Sequence, residues 1–210
     1  MFFEVNRQDF RATRTSDPAP VALEAGQIRL AVERFAVTTN NVSYAVAGDL
    51  LDYWGFFPTE APWGRIPVMG LGEVIESANP DIDTGGRYFG FYPMADDHVA
   101  TVEARRNGFR DVGPHRDGHA VAYTDFRDVG VDPRFRAEQV DEFLLLWGMF
   151  TTSFLVDDYL ADNDFHGAAQ TLVTSASSKT SISLATCLAE RRDHRAVGLT
   201  SERNRGFVEG

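Results

Sequence analysis

Residues 170–201 read QTLVTSASSKTSISLATCLAERRDHRAVGLTS, and they give the clearest indication of the fold class. It opens with a short β-branched apolar run at 171–174, which is long enough for a buried parallel strand. After a turn of small and polar residues, apolar side chains recur at helical spacing at Ile182, Ala185, Leu188 and Ala189. Arg191 and Arg192 close this helix with cations at the negative end of its dipole. A second short apolar run at 196–200 completes the pattern of one right-handed βαβ unit.

The turn between the first strand and the helix is a candidate phosphate site. A helix that follows a strand presents free backbone N–H groups at its first turn, where phosphates commonly bind. Hydroxyl residues and one ammonium fill this turn, at Ser175, Ser178, Lys179, Thr180 and Ser181. Lys179 is the only lysine in the chain, and a lysine here would bind a phosphate as a point charge. The alternative is a solvated surface lysine at an ordinary turn.

Composition and charge exclude several classes of protein. The 210 residues carry a formal net charge of −11, which argues against nucleic acid or an anionic membrane as the main partner. The sequence shows no apolar run of membrane-spanning length and no signal segment. The single cysteine, Cys187, excludes an internal disulfide framework and is typical of a reducing compartment. We therefore expect a cytoplasmic globular protein.

The first part of the chain is rich in predicted strands. Residues 28–33 alternate apolar and charged side chains, as in a half-buried antiparallel strand. Further short strands, separated by turn signals, are predicted at 68–76, 86–92 and 98–102. Residues 103–136 are polar and contain one short predicted strand at 120–123. These features predict a β-rich, barrel-like domain over residues 1–136, followed by a second domain over residues 137–210.

The turn at 175–181 resembles the nucleotide-binding loop of the medium-chain dehydrogenase/reductase superfamily, in its zinc-free quinone-oxidoreductase branch. That branch has glycines at every third position after the strand, and this chain has Ser175, Ser178 and Ser181 at the same spacing. Glycine lets the backbone touch the pyrophosphate, whereas serine adds a Cβ and a hydroxyl donor. Lys179 stands where the branch usually has another small residue. The resemblance implies a nucleotide cofactor, while the serines leave its binding open.

The first domain resembles the GroES-like catalytic domain of the same superfamily. The loop NNVSY at 40–44, the strand GLGEV at 70–74 and the turn GGRY at 85–88 follow that domain's order of motifs. The segments NNVSYA, WGRIPV and FYPMA are still more similar to the domain-of-unknown-function 2855 family, a divergent offshoot of the superfamily, over nearly the whole chain. The implied fold class is α/β with a β-rich part, a GroES-like β-barrel domain followed by an incomplete Rossmann-like βαβ unit.

The end of the second strand indicates which nucleotide is implied. An Asp or Glu at this point would bind the ribose 2′-hydroxyl of NAD. Here the strand ends at Thr200 and Ser201, and Arg203 follows, so hydroxyls with a nearby arginine favour the 2′-phosphate of NADP(H). Glu202 leaves NAD open. The alternative is that Ser201 caps the next helix and that Arg203 is solvated.

In the resemblance, the loop at 40–44 lines the cleft beside the nicotinamide. A zinc-free reductase needs a placed hydride donor and a hydrogen-bond donor to the substrate oxygen. Tyr44 is the candidate donor, and Asn41 is the candidate that orients a small-molecule substrate. The alternative is that Asn41 satisfies turn backbone and that Tyr44 packs in the core.

The sequence argues against a metal site. Catalytic zinc in the superfamily uses Cys and His ligands, and a single cysteine on the second-domain helix cannot build that site. His115 and His119 lie four residues apart, but Pro114 and Gly118 favour an ordinary polar loop over a metal site.

The sequence stops soon after the second strand, whereas a doubly wound domain needs several more strands. We therefore expect a C-terminally shortened chain, and the resemblance implies a homodimer for a full-length form. One hypothesis is a zinc-independent NADP(H)-dependent oxidoreductase of quinone or enoyl reductase type, acting on an activated carbonyl or conjugated alkene. The other is a non-catalytic member of the fold with a degenerate nucleotide loop, which serves protein association or is inactive.

Overall fold

The computed structural model of the chain describes residues 1–191 and 194–209. Arg192, which the sequence predicts with Arg191 as a cation at the end of a helix, lies outside the described residues. The chain divides into two compact units, an N-terminal unit Met1–Leu144 and a C-terminal unit Leu145–Gly210. The division falls within one long helix.

The N-terminal unit is built on a closed six-stranded barrel. Its strands are β3 (Gln27–Ala36), β5 (Pro67–Ser77), β6 (Arg87–Pro93), β7 (Asp97–Arg105), β8 (Gly108–Asp111) and β9 (Asp125–Asp128). They pair antiparallel in the closed order β3-β5-β6-β9-β8-β7. Alternate side chains point inward along such strands. The fully buried interior therefore includes Ile28, Leu30, Val68, Tyr92, Phe109 and Phe126.

Two barrel strands lie in the polar segment 103–136, and the strand predicted at 120–123 is wrong. Residues Val121–Thr124 form the short helix α2, and strand β9 follows it directly. Phe109 on β8 and Phe126 on β9 stack with ring centroids 4.9 Å apart, and both side chains are buried. The sequence pattern misses these strands because each has only four residues.

A second sheet in the N-terminal unit is held by a buried carboxylate. Strands β1 (Phe2–Asn6), β2 (Asp9–Ser16) and β4 (Trp63–Gly64) pair in the order β2-β1-β4. Glu4 on β1 has no exposed side-chain surface, and its oxygens accept from Arg14 at 2.7 Å, Arg65 at 2.8 Å and Thr59 at 2.8 Å. These bonds satisfy a charge that would be costly to bury alone.

Helix α1 (Thr39–Val46) lies between β3 and β5 in sequence, and helix α3 (Val140–Asp162) follows the last barrel strand. The stretch Ala137–Asp162, which ends with α3, is long and apolar enough to span a membrane, so the expectation of no such run is wrong. Length and composition are weak evidence for a span, because core helices of globular proteins meet the same criteria. Phe143 at the start of α3 packs edge-on against Phe89, with centroids 5.0 Å apart.

The C-terminal unit contains the predicted βαβ pattern. Strands β10 (Gln170–Thr174) and β11 (Arg195–Leu199) pair in parallel, with helix α4 (Lys179–Ala189) between them in sequence and α5 (Arg205–Glu209) after them. The helix begins at Lys179 rather than at Ile182. The predicted apolar face is only partly right, since Leu188 is fully buried but Ile182 is largely exposed.

Candidate functional site

The turn that precedes α4 is organised by the hydroxyls of Ser178 and Ser181. Ser178 is the N-cap residue, and its Oγ accepts from the backbone N–H of Ser181 at 3.2 Å. The Ser178 hydroxyl also donates to Ser181 Oγ at 2.9 Å, and Ser181 Oγ donates to the Thr174 carbonyl at 2.8 Å. The serines that replace family glycines therefore tie the strand end to the helix start.

The first half of the turn approaches the second strand closely. Ser175 adopts a left-handed conformation with φ of 49°, which reverses the chain direction directly after β10. The next residue, Ala176, donates its backbone N–H to the Leu199 carbonyl at 3.0 Å. A Cβ on Gly198 would lie 3.0 Å from the Ala176 side chain, so glycine on β11 permits this approach.

Lys179 and Thr180 occupy the first two helical positions of α4. Backbone N–H groups in the first turn of a helix have no acceptor within that helix. The Ser178 hydroxyl accepts only from the N–H of the third helical residue, Ser181, so it does not reach those of Lys179 and Thr180. The Thr180 hydroxyl points to Met149, with Oγ1 3.3 Å from Sδ. The half-buried Lys179 side chain has no hydrogen-bond or ion-pair partner within the described part of the chain. The structure thus leaves one ammonium and two N–H groups available at the helix N-terminus.

The predicted ribose-binding residues lie at the end of β11. Thr200 and Ser201 line a cavity of about 240 Å³, together with Glu202, Arg205 and Glu209. Arg205 forms an ion pair with Glu209 at 2.8 Å, which engages this cation. Ser201 precedes the 3₁₀ turn Glu202–Asn204, but its hydroxyl makes no capping bond.

Arg203 lies on that same 3₁₀ turn and is exposed. It is not among the residues that line the cavity. The cavity itself carries the carboxylates of Glu202 and Glu209. Thr200 and Ser201 therefore share a cavity wall, whereas the predicted phosphate-binding arginine stands beside it.

Asn41 has a structural role that the sequence offered as the alternative. Its Oδ1 accepts from the Thr38 backbone N–H at 2.6 Å, while the Thr38 side chain accepts from the first turn of α1 in a capping box. Its Nδ2 donates to the Pro67 carbonyl at 2.8 Å, which joins the helix to β5. The buried Asn41 also lines an apolar cavity of about 610 Å³, with Phe35, Val42 and Ala45 among the other walls.

Tyr44 faces a different environment, an aromatic cluster formed by Tyr44, Tyr53, Phe56, Phe91 and Tyr123. Its ring stacks on Tyr53 with centroids 4.5 Å apart and meets Phe91 edge-on at 5.8 Å. Burial, with the neighbouring Tyr123, raises the pKa of Tyr44, so its hydroxyl stays protonated at neutral pH. Asn41 lines the apolar cavity, whereas Tyr44 does not line it and packs in the aromatic cluster.

Sequence reasoning missed two tyrosines of this aromatic cluster. Tyr53 lies 5.8 Å from Phe56 and 6.4 Å from Tyr123 between ring centroids. Burial, followed by contact with Tyr123, strongly raises the pKa of Tyr53. The aromatic density at 53–57 was a usable signal for Tyr53, whereas Tyr123 lies in the segment predicted as a strand.

The two histidines of the segment at 115–119 do not share a site. His119 Nε2 lies 3.0 Å from Asp52 Oδ2, and its ring stacks on Phe56 at 3.8 Å. His115 instead lines a separate cavity with His98. Within residues 1–191 and 194–209, no group of three or more His, Cys, Asp or Glu side chains is placed to hold a metal ion.

The sequence of the chain matches one known protein family. Residues 35–210 match the family described as "Protein of unknown function (DUF2855)". No curated protein sequence matches the chain.

Several solved structures share the fold at low sequence identity. The quinone oxidoreductase of Pseudomonas syringae pv. Tomato DC3000 is 12% identical, with a TM-score of 0.54 over 99% of this chain and 55% of its own. CurA from Vibrio vulnificus in complex with NADPH is 10% identical, with a TM-score of 0.53 over 98% of this chain and 52% of its own. The JamJ enoyl reductase is 9% identical, with a TM-score of 0.52 over 95% of this chain and 53% of its own.

These matches show the fold, a GroES-like β-barrel followed by a Rossmann-like βαβ unit. The chain spans about half the length of the solved structures it matches.

Proposed function

The chain belongs to the family described as "Protein of unknown function (DUF2855)", and on that premise we propose that it is a zinc-independent, NADP(H)-dependent oxidoreductase. The substrate would be a small molecule with an activated carbonyl or a conjugated alkene, as in quinone or enoyl reduction. The observation that carries this proposal is the start of α4, where Lys179 and two backbone N–H groups stand without partners among the described residues.

Lys179 supports a phosphate role by its position and by its lack of a counter-ion. An ammonium at a helix N-terminus adds a full charge to the partial positive charge of the helix dipole. Together they attract a pyrophosphate, which carries the opposite charge. Ser177 and Ser178 fit beside such a group as hydroxyl neighbours, since Ser177 is held by Asn204 at 3.1 Å and Ser178 by the cap.

The choice of NADP(H) rests on Thr200, Ser201 and Arg203 at the end of β11. Two hydroxyls line the cavity there, and Arg203 is the nearby arginine without an ion pair within the described residues. The carboxylates of Glu202 and Glu209 oppose a 2′-phosphate in the cavity itself. Arg203 would therefore bind the phosphate at the rim, and we expect NADPH to be preferred over NADH by a modest factor.

When bound at the start of α4, NADPH would supply a hydride to the substrate. Tyr44 would supply a hydrogen bond to the substrate oxygen from its hydroxyl, which is protonated at neutral pH as in any tyrosine. The stacked Tyr53 fixes the Tyr44 ring and removes water from one face. Asn41 would contribute to substrate orientation indirectly, because it holds α1, which carries Tyr44, against β5.

The location and the partners of the protein are proposed from the same features. We propose a cytoplasmic protein that acts on a small molecule, does not engage nucleic acid or membranes, and forms a homodimer in a full-length form. The net charge of −11 supports the absence of an anionic polymer partner.

Titration with NADPH and with NADH, followed by nucleotide fluorescence, tests the proposal. We expect saturable NADPH binding that weakens by roughly tenfold in Lys179→Ala, as for loss of one charged phosphate contact. The matched control is Arg195→Ala, since Arg195 is an exposed cation at the other end of β11. An equal loss of affinity in both variants would overturn the proposal. The absence of NADPH binding both to the wild-type chain and to a chain extended to a complete nucleotide domain would also overturn it.

A second measurement tests the role of Tyr44. Quinone reduction by NADPH should fall by about tenfold or more in Tyr44→Phe while NADPH affinity stays unchanged. Tyr159→Phe is the control, because Tyr159 is an exposed tyrosine on α3. An unchanged rate in Tyr44→Phe would remove Tyr44 from the mechanism.

The second candidate function is a non-catalytic member of the fold that serves protein association or is inactive. The bonds among Ser178, Ser181 and the Thr174 carbonyl favour it, because they fill the turn with side chains. Replacing both serines with glycine separates the two candidates. Nucleotide binding that appears only in the double glycine variant would identify a degenerate loop.

A further inference from the structure

A buried polar cluster in the N-terminal unit plays no part in the proposed reaction. It consists of His98 on β7, Asp111 at the end of β8 and Arg116 on a 3₁₀ turn, and we refer to it as the barrel ion cluster. Asp111 Oδ2 accepts from Arg116 Nε at 2.7 Å, and Oδ1 accepts from the Gly113 N–H at 3.1 Å. The Asp111 side chain is 0% exposed and that of Arg116 is 2% exposed.

The cluster contains more donors than acceptors. Arg116 uses only Nε, and both of its terminal amino groups are buried without a partner in the described residues. His98 Nε2 is likewise buried and unpartnered, since Asp111 Oδ2 at 3.7 Å is too distant for a hydrogen bond. Buried donors are rarely left unpaired in folded proteins, so an acceptor belongs between these groups.

The aromatic neighbours do not meet this need. The guanidinium carbon of Arg116 lies 4.6 Å from the Phe57 ring centroid and 5.4 Å from that of Phe56. Stacking of this kind satisfies the faces of the guanidinium plane, while its N–H bonds point outward in the plane. The terminal amino groups of Arg116 therefore still lack acceptors.

A cavity of about 420 Å³ adjoins the cluster. His98, His115 and Phe57 form part of its wall, and Phe57 also contacts Arg116, so the cavity and the buried guanidinium share this ring. The arginines on the cavity wall are already paired, Arg29 with Glu76 and Asp97 and Arg65 with Glu4. Arg116 is not itself on the cavity wall, and within the described residues its terminal amino groups remain unpaired behind Phe57.

We propose that His98 and Arg116 form a binding site for a small carboxylate or oxyanion that enters through this cavity. Two oxygens on one centre match the paired N–H bonds of a guanidinium, which is the geometry that arginine binds best. A third contact from His98 Nε2–H would fix the ligand. The site lies wholly in residues 1–144 and is independent of the nucleotide loop.

An anomalous diffraction experiment on wild-type crystals tests the site directly. Crystals soaked in sodium selenate should show a selenium peak with its oxygens within hydrogen-bond distance of Arg116 Nη1 or Nη2 and of His98 Nε2. A parallel soak in sodium acetate tests the carboxylate. An ordered water at this point in both soaks, with no bound anion, would overturn the proposal.

Thermal unfolding at constant ionic strength tests the site in solution. Phosphate or acetate should raise the midpoint of the wild-type chain in a saturable way, by several degrees at saturation. The rise should be lost in Arg116→Lys and His98→Asn and kept in Arg105→Lys, a control on an exposed arginine that pairs with Glu103. An equal, unsaturable rise in all variants would mark a general salt effect and contradict the site.

Discussion

The two parallel strands of the C-terminal unit and the barrel strands of the N-terminal unit bury their side chains very differently. Ile28, Leu30 and Val68 on the barrel strands are fully buried, whereas Leu172 on β10 and Leu199 on β11 are 60% and 55% exposed. A closed barrel has no sheet edges, and all its inward side chains meet one another. Two parallel strands with one helix cover only part of their own apolar surface.

The charged groups follow the same contrast. Glu4 in the N-terminal unit is fully buried and has three partners, while Lys179 in the C-terminal unit has none within the described chain. Paired charges in a closed unit stabilise a single arrangement. A charge without a partner is available to a ligand. The nucleotide function that we propose therefore depends on the second unit, where Asp157 is a buried and paired charge but Lys179 is not paired within the described residues.

The largest expected effect separates the two cores. Phe109→Ala should lower the free energy of unfolding by about 3–5 kcal/mol, because it empties a fully buried site beside Phe126. Leu172→Ala on β10 should change it by less than about 0.5 kcal/mol. Urea denaturation measures both. A large decrease in the free energy of unfolding for Leu172→Ala would show that β10 is covered in solution. That result would contradict the difference in burial between the two units.

The next effect concerns the buried carboxylate of Glu4. Glu4→Ala should destabilise the N-terminal unit by about 3 kcal/mol, because it leaves Arg14 and Arg65 without their buried partner. Glu60→Ala is the control, since the exposed Glu60 also pairs with Arg14 and should cost less than about 1 kcal/mol. Chemical denaturation should rank the two variants in this order, and the reverse order would contradict it.

The pH dependence of unfolding also tests the ion pairs of Glu4. Burial alone would raise the pKa of Glu4, but hydrogen bonds from Thr59, Arg14 and Arg65 outweigh it and lower the pKa below the ordinary value of 4.5. A lowered folded-state pKa gives stability that is present above pH 4.5 and is lost as the pH falls through the folded pKa. Glu4→Gln should flatten the pH dependence of unfolding below pH 4.5, and an unchanged slope would argue against the ion pairs.

The smallest effect lies within the C-terminal unit. The buried Ser153 hydroxyl bonds the Thr180 carbonyl at 2.8 Å and the Met149 carbonyl at 2.9 Å, which fastens α3 to the start of α4. Ser153→Ala should cost about 1 kcal/mol of local stability, seen as faster hydrogen exchange at the α4 amides. Thr152→Ala, which removes an exposed hydroxyl bonded only to the Gly148 carbonyl, should leave that exchange unchanged.

Much of the candidate site could be predicted from the sequence, and some of it could not. The order of β10, turn, α4 and β11 followed from hydrophobic periodicity. The role of Ser178 as the cap of α4 was not predicted, since the sequence indicated it only as a phosphate-binding candidate. The different partners of Asn41 and Tyr44 could not be predicted, because Pro67 and Tyr53 reach these side chains only through tertiary packing. Both residues fit the same loop pattern in sequence.

The local elements and the chemical groups at the start of α4, including the lone Lys179, follow from the order of residues along the chain. Only the tertiary structure decided that β8 and β9 close the barrel and that His98, Asp111 and Arg116 meet in its interior. Periodicity and capping act over a few residues and can be read along the chain. Barrel closure and burial of a charged cluster depend on contacts between distant segments, and these arise only when the whole unit packs.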